Sequence, residues 1–564
     1  MAERTHVTQS PDGAAPSRRN FLALLGAGTL TAAAGAPLAA CGKRAGSAGA
    51  ATNANAIAAV VPTYKALELL KPDIPGEGSI PNGYLRYPSS LVDAISVKPG
   101  TTSQPIKTIL PHWGPTPPGL GRNAFVDAVN EKLGVTVDPS VQDGNSYADK
   151  LSAMLGARDV PDILAAPKWE IGKIPRFSDA VRALFTDLTD YLKGDAALAY
   201  PMLASLPTAA WQYSVWGGRL AAVPYPSDGP FAYALFYRKD LTDKAGVDIP
   251  KSIDQLYEFG KKLTNPSKGV WAFGNIFDMV QMFFRCPGVR TGWRRKPSGG
   301  LEHKYELPEY RQALEFTARV YREGLVHPDV IGSRGADSML LFNAGRIMAV
   351  QDGLGAWRAT QSEQSKVTPT YDMQPMPMFS ATSGDPVAWG DEEPTFYTFV
   401  KKGLPKARVE ELLRVLNWCA APFGSKEYEL NRYGVEGKHF LRAKDGSPYP
   451  TDLGHEELAD QYRVIGGRIA AEVRTSDTPN YVRDSIAYQT ATMKYFEPDL
   501  FRGIKLEFPA NYSKLIVNTE DKITDVLRGR RPLAELDTIV KEWRSAGGDE
   551  GRAFFEKALA DNGR

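Results

Sequence analysis

The chain has 564 residues, 43% hydrophobic and 23% charged, enough for a large core and two or more lobes. A net charge of +2 leaves no electrostatic footprint for nucleic acid. Six scattered histidines and the lack of any Cys-x-x-Cys argue against a structural zinc, and neither metal nor cofactor is expected.

Residues 17–22, Ser-Arg-Arg-Asn-Phe-Leu, form a twin-arginine export pattern, and the Ala/Gly/Leu-rich run after them ends in Leu38-Ala39-Ala40-Cys41. Small residues before a cysteine make the cleavage box of a lipoprotein signal peptide, here residues 1–40, with acyl chains on the Cys41 thiol. The apolar run Phe21 to Ala40 is also long enough to span a bilayer. Its Gly/Ala content makes it weakly hydrophobic, however, and spanning would leave both signals to coincidence. The mature chain is therefore expected on the outer face of the cell membrane, held by two or three acyl chains, since one binds only marginally. Once Cys41 is acylated, Cys286 and Cys419 remain, and they either pair in an oxidising compartment or stay buried and free.

Residues 41–60 are rich in Gly, Ala, Ser, Thr and Asn and read as a flexible tether. Residues 61–104 carry many prolines and no clear period; they read as an irregular arm over a lobe, with Tyr64, Leu67, Leu70, Tyr84 and Tyr87 in need of burial. Regular patterning then begins. Strands are expected at 108–110, 135–137 and 162–166, with helices over 123–134 and from Tyr147 to Ala157 between them. Strands alternating with helices indicate βαβ units and a parallel sheet, hence an α/β protein. Further on, Ser252 with Gln255 makes a capping box, Pro308 opens a helix that Gly324 closes, and Val409, Leu412, Leu413, Leu416 and Ala420 stripe another. In residues 215–240, Gly217-Gly218 turns a hairpin, while Pro224, Pro226 and Pro230 stiffen an extended crossing. Phe231, Tyr233, Leu235 and Tyr237 then alternate as a strand.

No His-Glu-x-x-His, Gly-x-Ser-x-Gly or Walker A pattern occurs. Gly119-Leu120-Gly121-Arg122-Asn123-Ala124 has dinucleotide spacing, but a proline-rich loop separates it from the preceding strand, so a loop that N-caps its helix is the simpler reading. A carboxylate pair able to hydrolyse glycosides needs only two residues, and no local motif supports one.

Several segments taken together resemble the extracellular solute-binding proteins of ABC sugar importers, the maltose-binding-protein class, and more narrowly its lipoprotein branch of aldouronate and alginate oligosaccharide binders. They are "SYADKLSAMLGARDVPDIL" (146–164), "GGRLAAVPYPSDGPFAYALFYRKDLTDKAGVDIPKSIDQLYEFGKKL" (217–263), "ALEFTARVYREGLVHPDV" (313–330), "FNAGRIMAVQDGLGAW" (342–357), "YGVEGKHF" (433–440) and "LRGRRPLAELDTIVKEWRSAGG" (527–548). The match keeps its order over most of residues 105–564. It departs at "TNPSKGVWAFGN", where many relatives carry a calcium loop and this chain has no acidic ligand between Thr264 and Asn275, so no calcium is expected there.

The resemblance implies a periplasmic-binding-protein-like fold of two α/β lobes, joined by hinge crossovers and closing on a ligand in a central cleft. The hinge is expected near Val223 to Gly229, with a second crossing between Tyr371 and Lys401. Lobe 1 is then 105–225 plus about 371–405, and lobe 2 is 226–370 plus about 406–564. The implied function is that of a monomeric, lipid-anchored protein that captures an oligosaccharide and delivers it to an ABC permease without chemistry. A secreted glycoside-active enzyme, or a binder of another solute such as a peptide, remains an alternative.

A sugar needs flat aromatic walls for its faces and carboxylates, amides or arginines for its hydroxyls. Trp113 and Trp169 follow the first and third strands, where open α/β sheets bind ligands. Tyr225 and Asp228 lie in the expected hinge. Trp271 lies where the calcium loop is missing, and Trp389 and Asp391 near the second crossing. By resemblance Trp357 matches a position where an aromatic lines the far side of the cleft, with Asp352 just before it. Arg122, Arg176, Arg285 and Arg290 are candidates to pair with a uronate.

Overall fold

The computed structural model describes residues 50–564 except 175, 228, 232, 289, 290, 333–337, 391 and 510. The first described segment is a short strand, β1 (Ala50–Thr52). Asn53 then accepts the Ala56 amide at 2.8 Å and starts the one-turn helix α1 (Ala54–Ala58), which buries Ile57. The tether expectation for residues 41–60 thus fails from residue 50 onward. A composition of small polar residues hid one apolar anchor and one cap.

The arm that follows has little regular structure, yet its backbone is held by carboxylates. Glu427 accepts the amides of Ala94 and Ile95 at 3.1 and 2.9 Å, and Glu429 accepts the Tyr87 hydroxyl at 2.8 Å. Tyr84 and Tyr87 are buried against Phe423, whereas Tyr64, expected inside, is 52% exposed.

The first sheet begins with β2 (Ile106–His112), α2 (Ala124–Leu133), β3 (Val137–Asp143), α3 (Tyr147–Ala157) and β4 (Ile163–Pro167). β3 pairs parallel with β2 over its whole length, Ile106 with Val137 through His112 with Asp143, and β4 pairs on the other side of β2. The strand expected at 135–137 therefore lies further along and runs through Pro139. This is tolerated because β3 is the edge of the sheet, where a missing N–H need not break a ladder. The glycine loop before α2 does serve a cap: Asn123 accepts the Val126 amide at 3.0 Å and donates to the Pro118 and Glu457 carbonyls.

Gly217 and Gly218, at φ 57° and 72°, form the two-residue turn between β5 (Val215–Trp216) and β6 (Arg219–Leu220). β7 (Val223–Tyr225) completes this half of the chain.

The second sheet comprises β8 (Ala234–Arg238), β9 (Trp271–Phe273), β10 (Ile347–Asp352) and, after helix α4 (Leu354–Val367), β11 (Met373–Pro375), in the order β9-β10-β8-β11. All five residues of β8 are buried, so Ala234 and Phe236 are core as well as the expected Leu235 and Tyr237; a central strand covered on both faces has no polar side. The chain then returns to the first sheet as β12 (Phe396–Val400), which inserts antiparallel between β4 and β7 and gives the order β3-β2-β4-β12-β7. Helix α5 (Lys406–Cys419) follows, then α6 (Lys426–Tyr433). Near the C-terminus β13 (Lys505–Glu507) pairs with β1.

Each sheet has its own core. Val409, Leu412 and Leu416 of α5, with Tyr462 and Ile465, pack against Ile106, Phe125 and Val223. Tyr371, Met373 and Trp389 pack with Phe236, Phe273 and Val350, as do Ile486, Ile523 and Trp543. The sequence-based lobe boundaries therefore shift. Residues 409–420 and 462–465 go with the first sheet and 371–389 with the second, while Phe423, Tyr428, Tyr433 and Phe440 cluster with Tyr84 and Tyr87 of the arm. Cys286 lies in one core and Cys419 in the other, both as free thiols. Among the described residues no helix is long and apolar enough to cross a membrane.

Candidate functional site

Strand direction locates the site. β2, β3 and β4 are parallel and end at His112, Asp143 and Pro167; β12 starts at Phe396 opposite Pro167, and Tyr225 ends β7 opposite the same Phe396. One edge of the first sheet thus collects these strand ends. In the second sheet β10 ends at Asp352 opposite Ala234, the first residue of β8, and β9 and β11 end at the same edge. The chain crosses from one edge to the other after Tyr225 and again before Phe396. The two crossings touch, Phe231 bridging Gly390 antiparallel. Only glycine allows that approach, since a Cβ at Gly390 would lie 1.8 Å from the Pro230 carbonyl oxygen. The carboxyl ends of two sheets around a pair of crossings form the cleft of a two-lobed binding fold.

On the first lobe's edge two tryptophans stand side by side. Trp113 is 49% exposed and Trp169 41%, with ring centroids 5.6 Å apart. Both rest on the buried Phe396, at 6.4 and 5.6 Å, and Phe396 rests on Tyr225 at 5.8 Å. Gly144 makes room for this wall, as a Cβ there would lie 2.3 Å from the Trp113 indole. Large apolar faces left open at strand ends, over a rigid aromatic base, suit the C–H face of a flat ring.

On the second lobe's edge Asp352 is poorly compensated. Its described hydrogen bond comes from the Gly353 amide at 2.7 Å, and burial pushes its carboxyl up to about 6. A carboxylate held at such cost beside a cleft is a site signature, and hydroxyl donors of a ligand would relieve it. Charged groups also gather beyond Trp113. Asp460 lies between Arg463, with which it is ion-paired, and Arg432 at 3.7 Å. These arginines pull its carboxyl down to about 2 although burial opposes them, and its backbone sits in the left-handed region at φ 59°. His112 feels both Asp460 and Arg463, and its pKa is lowered mainly by burial.

Of the residues singled out from sequence, Trp113 and Trp169 come together, and Asp352 lies at the opposing edge. Cys41, Asp228 and Asp391 lie outside the described residues. Four expectations are corrected. Tyr225 is 3% exposed and packs under Phe396 in the core of the first lobe. Trp357 is 1% exposed, donates its indole N–H to the Met373 carbonyl and packs between Phe236 and Tyr481, so it is core. Trp389 is buried and donates to the Cys286 carbonyl at 2.6 Å. Trp271 meets His327 edge-on at the start of β9, about 16 Å from the Asp352 edge at the rise of a strand. Nor do the three described arginines among those proposed for a uronate converge. Arg176 pairs with Asp179, Arg285 donates to the Ser383 carbonyl, Arg122 is exposed and Arg290 lies outside the described residues. Phe396 and the Asp460 group were missed, because only antiparallel pairing and loop packing bring them to the edge.

The chain matches the family model of the bacterial extracellular solute-binding protein over residues 114–415 and belongs to that family, one of binding proteins rather than enzymes. It is 20% identical over 435 residues, 73% of this chain and 83% of the relative, to the polygalacturonan/rhamnogalacturonan-binding protein YtcQ of Bacillus subtilis (strain 168). It is 23% identical over 483 residues, 79% of this chain and 90% of the relative, to lipoprotein LipO of the same organism. Among solved structures, alginate-binding protein AlgQ2 without calcium ion matches with a TM-score of 0.58 and 14% identity, over 82% of this chain and 99% of that one.

Proposed function

We propose that this protein captures an oligosaccharide between its lobes and passes it unchanged to an ABC permease, while acyl chains on Cys41 hold it at the outer face of the membrane. The exposed Trp113–Trp169 pair carries this reading, because paired flat apolar faces at a sheet edge match a sugar ring and have no packing role that needs them open. Asp352 supplies an acceptor for hydroxyls on the facing edge. The relatives named above support the saccharide class through what they are called, and the Leu-Ala-Ala-Cys box supports the anchor.

The test uses the chain from Gly42 onward, which contains the whole compact unit 46–564. A matching oligosaccharide at about a hundredfold over its Kd is expected to stabilise it by about 2.7 kcal/mol, seen as a rise in Tm. A broad panel of neutral and acidic oligosaccharides that leaves Tm unmoved would refute the reading. Cleavage of the bound sugar on long incubation would refute delivery without chemistry.

A further inference from the structure

The arginines that do converge are not those the sequence suggested. Arg358 projects from α4, a helix of the second lobe packed through Leu354 and Trp357 into that lobe's core. Its guanidinium meets lobe 1 at α6, where Nη2 lies 3.4 Å from the Tyr433 hydroxyl and 3.5 Å from the Thr475 hydroxyl. Arg432, the neighbour of Tyr433, reaches Asp460 only at 3.7 Å. Among the described residues neither guanidinium makes a closer polar contact, although each has five N–H donors.

The electrostatics of Arg432 point the same way. Burial, then Arg463 and Arg358 as like charges, lower the Arg432 pKa, and Asp460 is the carboxylate that opposes them. Asp460 is already shared with Arg463. Glu472 acts on Arg358, but it accepts the hydroxyls of Tyr481 and Ser485. Arg432 and Arg463 thus share one carboxylate, with Arg358 a further positive charge acting on Arg432, in a place enclosed by protein yet open enough to leave the Asp460 side chain 37% exposed. Such a place is short of negative charge. It also adjoins the aromatic wall: Asp460, Arg463 and Glu363 act on His112, the residue before Trp113.

We propose that Arg358 of one lobe and Arg432 of the other form a carboxylate-binding subsite, so that the preferred ligand is an acidic saccharide with one ring on Trp113–Trp169 and a uronate between the two guanidiniums. This rests on the oligosaccharide reading above and adds the charge of the ligand. A planar guanidinium fork matches a carboxylate with two parallel hydrogen bonds, which a neutral hydroxymethyl group cannot accept. Held from both lobes, the uronate also links them.

The experiment is calorimetric titration of the chain from Gly42 onward with oligogalacturonates, with the same oligomers as methyl esters, and with neutral oligosaccharides. The acid form is expected to bind at least about tenfold more tightly than the ester, with the preference shrinking as salt is raised. Arg358→Gln and Arg432→Gln are each expected to remove most of that preference, while ester binding stays within about threefold. The acid-against-ester comparison needs only the unaltered protein, so a variant that fails to fold does not decide the matter. Equal affinity for acid and ester, or binding of neutral oligosaccharides alone, overturns the subsite and leaves the oligosaccharide reading standing. Failure to bind any saccharide overturns both.

Discussion

Asp352 is a carboxylate that the fold alone would be better without. Its pKa is raised by burial from an ordinary 3.8 to about 6, so the charged form is disfavoured in the folded chain. The sign follows: Asp352 is neutral in both states well below pH 4, and its penalty grows between about pH 4 and 6 and is constant above that. Asp352→Asn is therefore expected to stabilise the protein at pH 7.5, by up to about 3 kcal/mol, and to lose that advantage near pH 4. Thermal unfolding of both proteins across that range measures it. The same variant is expected to weaken ligand binding, since an amide accepts sugar hydroxyls less strongly than a carboxylate. Greater stability with unimpaired binding would show that Asp352 faces no ligand. The exposed places of Trp113 and Trp169 at the sheet edge were legible from sequence because each lies within two residues of a strand end. Trp357 and Trp389 were not separable from them. A tryptophan beside glycine and proline reads the same whether its N–H meets solvent or a buried carbonyl, as theirs do at Met373 and Cys286.

At the scale of elements, local chemistry was readable wherever a cap or turn is made by neighbours in sequence. Asn123, Ser252 and the Gly217-Gly218 turn are such cases, each depending on residues within three positions. The arm was legible only as irregular, because what orders it lies some three hundred residues away. Glu411 of α5 is fully buried and accepts the Thr101 and Thr102 amides at 2.6 and 2.8 Å, with Arg408 against its other oxygen at 2.6 Å. Removing this carboxylate strands two amides and takes the closest counter-charge from buried Arg408, which keeps the Gln104 and Pro105 carbonyls and Asp162 at 3.7 Å. Glu411→Ala is expected to cost about 3–5 kcal/mol, and Glu411→Gln about 1–2 kcal/mol, measured as lowered denaturation midpoints. Limited proteolysis within residues 61–104 should rise in the same order. An alanine variant as stable as the parent would mean that Glu427 and the tyrosines suffice to hold the arm.

For the whole molecule, the two sheets keep separate cores, and the chain passes between them more often than a two-domain reading of its sequence allows. Cys286 and Cys419 mark the separation, one in each core, and burial pushes the Cys286 thiol up to about 12 and the Cys419 thiol higher still. In the chain from Gly42 onward no thiol is expected to react with a disulfide reagent in native buffer, and both are expected to react in denaturant without added reductant. No reaction in denaturant would reveal a disulfide and contradict the separation. The outer tie between lobes is equally non-local: Glu507 of β13 pairs with Arg182 and accepts the Gly217 amide, and Lys505 donates to the Tyr213 carbonyl. β1 docks on that same strand, so the chain leading from the expected anchor arrives at the lobe junction.

The sequence by itself determined the α/β class, the positions of caps and turns, the placing of Trp113 and Trp169 just past strand ends and the resemblance to a binding-protein family. These depend on periods of two and 3.6 residues, on caps a few positions apart, and on the order of motifs. Only the tertiary structure decided which helix covers which sheet, which tryptophans are core, and which arginines meet. Those outcomes turn on packing between segments hundreds of residues apart, where Arg358 can face Arg432 and Phe396 can support Trp113 without any trace of that meeting in the spacing of residues along the chain.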